Sequence, residues 1–239
     1  MDSRCYRALV ALGVGLLGCG AQVWASPTAP GVMPTPQTLS PRTFELQLQS
    51  HGIQVLQAAE AWHQLGVQVG VTPDLEIGFD YRLGAPQDSY PNRVYRTELL
   101  GYDPRREGWE RSWMNLKYQI LRETPRRPAV AVGLLSLNAR GNSGYYVVAG
   151  KHLGAWSLAL GYADAYGDDD AFWYEVLTYT TDDGGRVVAE HCSGGRFSTN
   201  VAYEHRFNAR WRAAAGWMFA NNGLYDSEPL LRLTYTDGW

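Results

Sequence analysis

Histidine and cysteine are the side chains that most often ligate metals or act as nucleophiles, and in this sequence they are scattered. The spacing of the five histidines does not suggest a zinc site. The adjacent pair His191 and Cys192 is a candidate for zinc binding, but it supplies fewer ligands than a zinc ion requires. We therefore predict no metal site and no cofactor. The histidines are His51, His63, His152, His191 and His205.

Hydrolysis and calcium binding are two further chemistries that the residue types allow. His152 or His191 with a nearby serine could form a catalytic pair, but no nucleophile motif accompanies either histidine. Aspartates cluster at 168–170 and at 182–183, although acidic loop tips are more often only solvated than bound to calcium. We predict no catalytic residue, and a lipid-modifying enzyme is the weakest of three functional hypotheses.

Charged residues of both signs recur at alternate positions of segments that otherwise read as strands. Such side chains point to one face of a strand and can pair with one another in a confined interior. They line either a conduction path or a structural ion-pair network that fills the interior. The candidates for this interior are Glu76, Asp80, Arg82, Lys117, Glu204, Arg206, Arg212 and Arg232.

Alternation with a period of two predicts the strands that carry these charges. It begins at Arg42 to Gln49 and recurs to the end of the chain. The segments Ala129 to Leu137 and Gly144 to His152 are apolar on both faces, so their orientation stays open. The pattern predicts about twelve strands, or about ten if the segment from Phe172 to Cys192 stands above the membrane as a hairpin.

The polar face of these strands favours a membrane barrel over a soluble sandwich. It consists largely of Gly, Ala, Ser, Asn and Gln with paired charges, as suits a narrow lumen, whereas a face in open water would carry more Lys and Glu. Tyr and Trp, at 15 and 9 residues, outnumber the 6 Phe, as is typical of barrels with interfacial aromatic girdles. The predicted fold class is all-β, a closed antiparallel up-and-down transmembrane β-barrel, and a soluble periplasmic β-protein is the alternative.

Connection lengths alternate between short and long, as they do in outer-membrane barrels. If the first strand runs outward, turns such as 72–74 and 153–155 are periplasmic and both termini lie on that side. The longest outer connection, Gly84 to Arg111, is rich in aromatic residues and is a candidate contact surface. Its contact candidates are Tyr90, Tyr95, Tyr102 and Trp109.

The amino terminus has the pattern of an export signal, with basic residues followed by a short apolar run from Ala8 to Gly20. We expect cleavage after Ala25, with lipidation at Cys19 within a lipobox-like sequence as the alternative. The predicted domains are a signal peptide at 1–25, a proline-rich periplasmic lead-in or plug-like arm at 26–41, and the barrel at 42–239.

The carboxy terminus and the overall charge indicate location and exclude one partner class. Trp239, preceded by alternating apolar residues, resembles the terminal aromatic signal by which outer-membrane proteins reach the barrel assembly machinery. A net charge of −3 with mixed signs argues against a nucleic-acid partner. Outer-membrane lipids, and a polysaccharide or small solute, are the expected partners of a protein in the bacterial outer membrane.

Three segments resemble a known family. They are Gly31 to Pro36 leading to Thr43 to Leu46, then Leu75 to Phe79, then Asn115 to Tyr118. They resemble the YjbH-like outer-membrane barrels, which are associated with exopolysaccharide export. The resemblance implies an outer-membrane location and, more weakly, a polysaccharide role, but it brings no catalytic residues.

Two main functional hypotheses follow. The first is a narrow pore or export-associated component, whose ion preference changes when Arg206 or Arg212 is neutralised. The second is a closed barrel that acts as a structural or surface-interaction module through its long outer loop.

Overall fold

The computed structural model describes residues 33–51, 62–83, 112–135, 137, 144–164, 171–193, 198–220 and 228–239. These residues form twelve antiparallel strands. The strands are β1 Thr43–His51, β2 Trp62–Thr72, β3 Leu75–Leu83, β4 Ser112–Leu121, β5 Ala129–Leu135, β6 Gly144–Leu153, β7 Trp156–Asp164, β8 Ala171–Thr180, β9 Arg186–Cys192, β10 Ser198–Arg206, β11 Trp211–Ala220 and β12 Glu228–Gly238. Among the described residues, no helix is long and apolar enough to cross a membrane.

Each strand pairs with its neighbours in the chain, and β1 pairs with β12 to close the sheet. The register of the closing pair runs from Thr43 opposite Gly238 to His51 opposite Leu230. The predicted fold class is therefore confirmed. The ten-strand alternative is wrong, because β8 and β9 lie in the wall between β7 and β10.

Side chains alternate between the inside and the outside of the barrel, as the period-two pattern predicted. In β8 every second residue is buried and the residues between them are exposed. The two strands with apolar residues on both faces follow the same rule, with Ala131 and Tyr146 inside and Val132 and Val147 outside. Register set by the neighbouring strands fixed this orientation, since hydrophobicity could not.

Two glycines allow large rings to fit against the inner wall. Gly133 lies opposite Tyr146, and Gly161 lies opposite Tyr174. An added Cβ at either glycine would lie 2.1 Å from the facing ring. The missing side chains therefore let each tyrosine lie flat across the neighbouring strand.

The two ends of the barrel differ. One end has the five short connections, the start of β1 and the end of β12, and we call it the turn end. We call the opposite end the loop end. The turn-end connections include 73–74, 154–155 and 181–185, close to the predicted turns. The connections at the loop end lie almost entirely outside the described residues, and so do the contact candidates Tyr90, Tyr95, Tyr102 and Trp109.

Aromatic side chains on the outer face form two bands. Near the turn end, Trp156 packs on Tyr179 with ring centroids 4.7 Å apart. Near the loop end, Tyr162 packs on Trp173 at 5.1 Å. Exposed Leu and Val side chains occupy the band between them, for example Leu158. Two aromatic bands around an apolar belt are typical of barrels that cross a membrane.

Candidate functional site

The inner wall of the barrel divides into two arcs of opposite chemistry. We call the inner faces of β10–β12 and β1–β4 the polar arc and those of β5–β8 the apolar arc, with β9 at one boundary. The described polar arc includes Glu45, Gln47, Gln49, Gln64, Gln68, Glu76, Asp80, Asn115, Lys117, Asn200, Glu204, Arg212, Arg232 and Thr234. The described apolar arc includes Ala129, Ala131, Leu135, Tyr146, Val148, Ala159, Ala163, Phe172, Tyr174 and Val176.

Glu204 in β10 lies at the centre of a group of arginines toward the turn end. Its carboxylate accepts a hydrogen bond from Arg186 Nε at 2.9 Å. It also lies 3.8 Å from Arg212 Nη1 and 3.6 Å from Arg232 Nη2. The three arginines come from β9, β11 and β12, so the ion pairs tie four consecutive strands together across the inside of the wall.

Glu45 in β1 extends this group across the seam that closes the barrel. It pairs with Arg212 and accepts hydrogen bonds from Thr236 Oγ1 at 3.1 Å and Gln47 Nε2 at 2.6 Å. We call Glu45, Arg186, Glu204, Arg212 and Arg232 the arginine cluster. Three arginines against two glutamates leave it with a net charge of +1. Its ion pairs reinforce the β1–β12 seam.

A second ion pair is buried on the opposite side of the polar arc. Lys117 Nζ lies 3.2 Å from Glu76 Oε1, with 0% and 1% of the two side chains exposed. Further toward the loop end on the same inner faces, Asn115 donates to Asp80 at 2.6 Å. A buried pair of this kind holds its partners in place, because removing one charge leaves the other unpaired.

Residues 33–40 cross the lumen, and we call them the strap. Met33 N donates to Glu190 Oε1 at 3.1 Å, and the Tyr174 hydroxyl donates to the carbonyl of Pro34 at 3.2 Å. At the other end of the strap, Leu39 N donates to Glu76 Oε2 at 2.9 Å. The strap therefore binds both the apolar and the polar side of the wall.

Close packing and a backbone turn hold the strap in this path. A Cβ at Gly150 would lie 2.9 Å from the Pro36 ring, and one at Gly70 would lie 2.1 Å from the carbonyl oxygen of Ser40. Arg42, with φ of 59°, takes a left-handed conformation where the strap turns back into β1. Of the two roles predicted for the proline-rich segment, residues 33–40 occupy the position of a plug-like arm, and residues 26–32 lie outside the described part of the chain.

The predicted interior charges occupy three kinds of position. Glu76, Asp80, Lys117, Glu204 and Arg232 are buried on the inner face, and Arg212 is partly buried there. Arg206 is exposed at the turn end, where its Nε donates to the carbonyl of Asn208 at 3.2 Å, and the side chain of Arg82 lies outside the described set. Whether these residues line a conduction path stays a prediction.

Three charged residues of the inner wall were missed by sequence reasoning. Glu45 already stood on the polar side of the first predicted strand, so the alternation could have identified it. Arg186 and Glu190 are four residues apart in β9 and point inward with Val188. They were missed because the membrane crossing of this strand was in question.

The histidines do not gather into a chemical site among the described residues. No group of three His, Cys, Asp or Glu side chains able to hold a metal ion occurs there. His191 is exposed on the outer face and Cys192 is buried on the inner face, so the adjacent pair points in opposite directions. His152 Nδ1 lies 2.6 Å from Glu123 Oε2 at the turn end.

The acidic turn at 182–183 has a structural explanation. Asp183 accepts hydrogen bonds from the Thr181 hydroxyl and from Gly185 N, the latter at 3.3 Å. These bonds, that of Thr181 first, lower the pKa of Asp183 below its ordinary value. The carboxylate thus stabilises the β8–β9 turn, where Gly184 supplies a φ of 81°. The other acidic cluster, 168–170, lies outside the described residues.

Comparison of the sequence with known proteins places the chain in a family. The model of the family YjbH, described as "Exopolysaccharide biosynthesis protein YbjH", matches residues 30–209 and so includes the strap. No curated protein matches the sequence. The match confirms the resemblance seen in the sequence.

A solved porin structure shows the same fold. The KdgM porin in complex with disordered oligogalacturonate is 10% identical, with a TM-score of 0.51 over 82% of this chain and 99% of that chain. The COG4313 outer membrane channel from Pseudomonas putida F1 is 14% identical, with a TM-score of 0.42 over 88% of this chain and 100% of that chain. The likeness to the KdgM porin is one of fold, that of an outer-membrane barrel.

Proposed function

This chain belongs to the YjbH family of exopolysaccharide biosynthesis proteins, and on that premise we propose that it serves as a narrow, strap-gated pore or export-associated component of the outer membrane. The observation that carries the proposal is that the strap crosses the lumen with contacts on both sides, and that the larger part of the surrounding wall is polar. The proposed role is one of passage or export and not of catalysis.

The amide groups of the polar arc support a carbohydrate as the substance that passes. Gln47, Gln49, Gln64 and Gln68 are buried on the inner face of β1 and β2. An amide both donates and accepts hydrogen bonds, so a row of amides can exchange partners with the hydroxyl groups of a moving sugar chain. The KdgM porin, which shares the fold, was solved with oligogalacturonate, and this oligosaccharide is therefore a suitable first probe.

The strap and the arginine cluster support a pore that is closed at rest. The strap occupies the lumen between Glu190 and Glu76, and the arginine cluster lies toward the turn end. A chain of sugars would have to displace the strap or slide past it along the polar arc. Displacement costs the strap's hydrogen bonds and the burial of Met33, each a modest contribution in free energy.

Location and partners are part of the same proposal. The aromatic bands support insertion into outer-membrane lipids, and Trp239 is the proposed signal for the barrel assembly machinery. Export by a signal cleaved after Ala25, or lipidation at Cys19, concerns residues outside the described part of the chain.

Conductance in a planar bilayer tests the pore. The full chain should show small or infrequent steps, and a variant that lacks residues 27–37 should show larger ones because its lumen is cleared. Should that variant fail to fold, Met33→Asp places a carboxylate beside Glu190 in an apolar cluster and should expel the strap. Ser40→Asp adds the same charge at an exposed position and is the matched control.

Ion preference and block by sugars sharpen the test. Arg212→Gln removes one positive charge from the arginine cluster and should reduce both anion preference and block by oligogalacturonate relative to a neutral oligosaccharide. Arg206→Gln, at an exposed site, should reduce anion preference and block by oligogalacturonate less than Arg212→Gln does. If the full chain and both strap variants insert but never conduct, the pore is refuted.

A closed structural barrel is the second candidate, and the apolar arc favours it. Met33 of the strap is buried in one cluster with Tyr146, Val148 and Phe172, which is the packing of a core and not of a water-filled path. In that case deletion of the 84–111 loop should abolish partner or glycan binding while the barrel still folds.

A further inference from the structure

Among the residues that the structure describes, one charged side chain lies in the apolar belt of the outer face. Glu175 of β8 is exposed on this face, in a row that continues with Trp173 and Leu177. Among the described outward positions, the other Asp, Glu, Lys and Arg side chains lie in the last few residues of their strands, as Asp164 and Asp237 do. An ionisable group that faces lipid is costly, and it indicates a partner or a function.

The position of Glu175 along the strand places it just inside the loop-end aromatic band. Trp173 is two positions away, about 7 Å along the strand, and Tyr179 of the turn-end band is four positions away, about 14 Å. The Glu175 carboxylate therefore lies in the apolar belt, close to the loop-end edge of that belt. No hydrogen bond or ion pair of Glu175 occurs within the described part of the chain.

Two further polar side chains lie beside Glu175 on the outer faces of the next two strands. His191 in β9 is the cross-strand partner of Glu175, and Thr199 in β10 is the partner of His191. His191 Nδ1 lies 2.8 Å from Thr199 Oγ1, which is a hydrogen-bond distance. This bond fixes the ring and leaves Nε2 as the nitrogen that can meet a carboxylate from outside.

We propose that this face is a twofold interface with a second copy of the chain, in which Glu175 of each copy binds His191 of the other. A twofold axis that relates two barrels in one membrane runs along the membrane normal. Rotation about this axis exchanges the left and right sides of the interface but leaves each residue at the same depth in the membrane. Glu175 and His191 lie side by side in the same row, so this rotation brings each opposite its complement. A single acid and a single base thus satisfy each other twice.

The surrounding surface fits a close approach of two walls. Ala189 precedes His191 on the same outer row of β9, and it lies between Leu177 and Val201 of the flanking strands. The rotation that pairs Glu175 with His191 also places each Ala189 opposite Leu177 of the second copy, and the small residue leaves room for that larger side chain. Trp173, with 65% of its surface exposed, lies at the edge of this patch and would be covered.

A charge exchange tests the pairing. Glu175→His sets histidine against histidine, and His191→Glu sets carboxylate against carboxylate, so each single variant should lower the dimeric fraction in detergent or native membranes about tenfold. The double variant Glu175→His with His191→Glu restores complementary pairs and should restore the dimer. Heat-modifiable migration of each variant confirms that its barrel has folded.

Cysteine cross-linking supplies a second measurement that leaves the pair intact. In a Cys192→Ala background, Ala189→Cys of one chain should cross-link to the same cysteine of a second chain in the membrane. Ile77→Cys, on the outer face of β3 six strands away, is the matched control and should remain uncross-linked.

Two results would overturn the proposal. One is a folded, monomeric wild-type protein in which Ala189→Cys cross-links no more than Ile77→Cys. The other is a dimer that persists unchanged in both single variants. Binding of lipid headgroups to Glu175 alone would give the first result, since it requires no second chain.

Discussion

The polar and apolar arcs of the inner wall are built from the same alternating strands, yet they are held together by different forces. In the polar arc, Glu204 and Glu76 each organise a set of charged and amide partners. In the apolar arc, Tyr146 and Tyr174 lie over glycines and pack as a core. The difference shows that a lumen can be filled in two ways at once, with geometry-dependent ion pairs on one side and close packing on the other.

The largest effect should come from breaking a buried pair in the polar arc. Glu76→Gln leaves Lys117 charged and buried, and should lower the free energy of unfolding by about 3–5 kcal/mol. The double variant Glu76→Gln with Lys117→Met removes both charges and should recover much of this loss. Urea unfolding in detergent micelles measures both. Equal losses in the single and double variants would mean that charge pairing is not what holds this side of the wall.

A smaller effect is expected from overfilling the apolar arc. Gly161→Leu puts a side chain where the Tyr174 ring lies and should cost about 1–3 kcal/mol of unfolding free energy. Gly154→Leu is not a suitable control, because its φ of 65° adds backbone strain. Ala149→Leu, which faces outward on the neighbouring strand β6, adds the same side chain without that clash. A loss no greater than that of Ala149→Leu would show that the ring moves aside freely.

The smallest effect is expected from removing a tyrosine hydroxyl in the apolar arc. Comparing Tyr174 with Tyr146 separates the stability that comes from binding the strap from that which comes from packing of the rings. Tyr174→Phe removes the hydroxyl that donates to Pro34 and should cost about 1 kcal/mol. Tyr146→Phe should cost nothing, because the buried Tyr146 hydroxyl has no hydrogen-bond partner among the described residues. The same unfolding measurement compares the two variants. If they behave alike, the strap contributes nothing to stability through Tyr174.

Particular residues show how far the candidate site could be predicted. The alternation placed Glu76, Lys117 and Glu204 on one face of their strands, and the structure buries all three. It could not tell Arg212, which bridges two glutamates, from Arg206, which lies exposed at a turn. Pairing depends on distances between strands that are far apart in the chain, and such distances are not encoded in a local period of two.

The sequence by itself determined that alternating strands form a closed antiparallel barrel, which faces of most strands point inward and outward, and that Tyr and Trp are abundant. These follow from local patterns, because a strand that separates two environments must alternate. Only the tertiary structure decided that β8 and β9 lie in the wall, which faces of β5 and β6 point inward, that residues 33–40 return into the lumen, and that the inner wall has two arcs. Each of these depends on contacts between distant parts of the chain, which exist only once the barrel has closed.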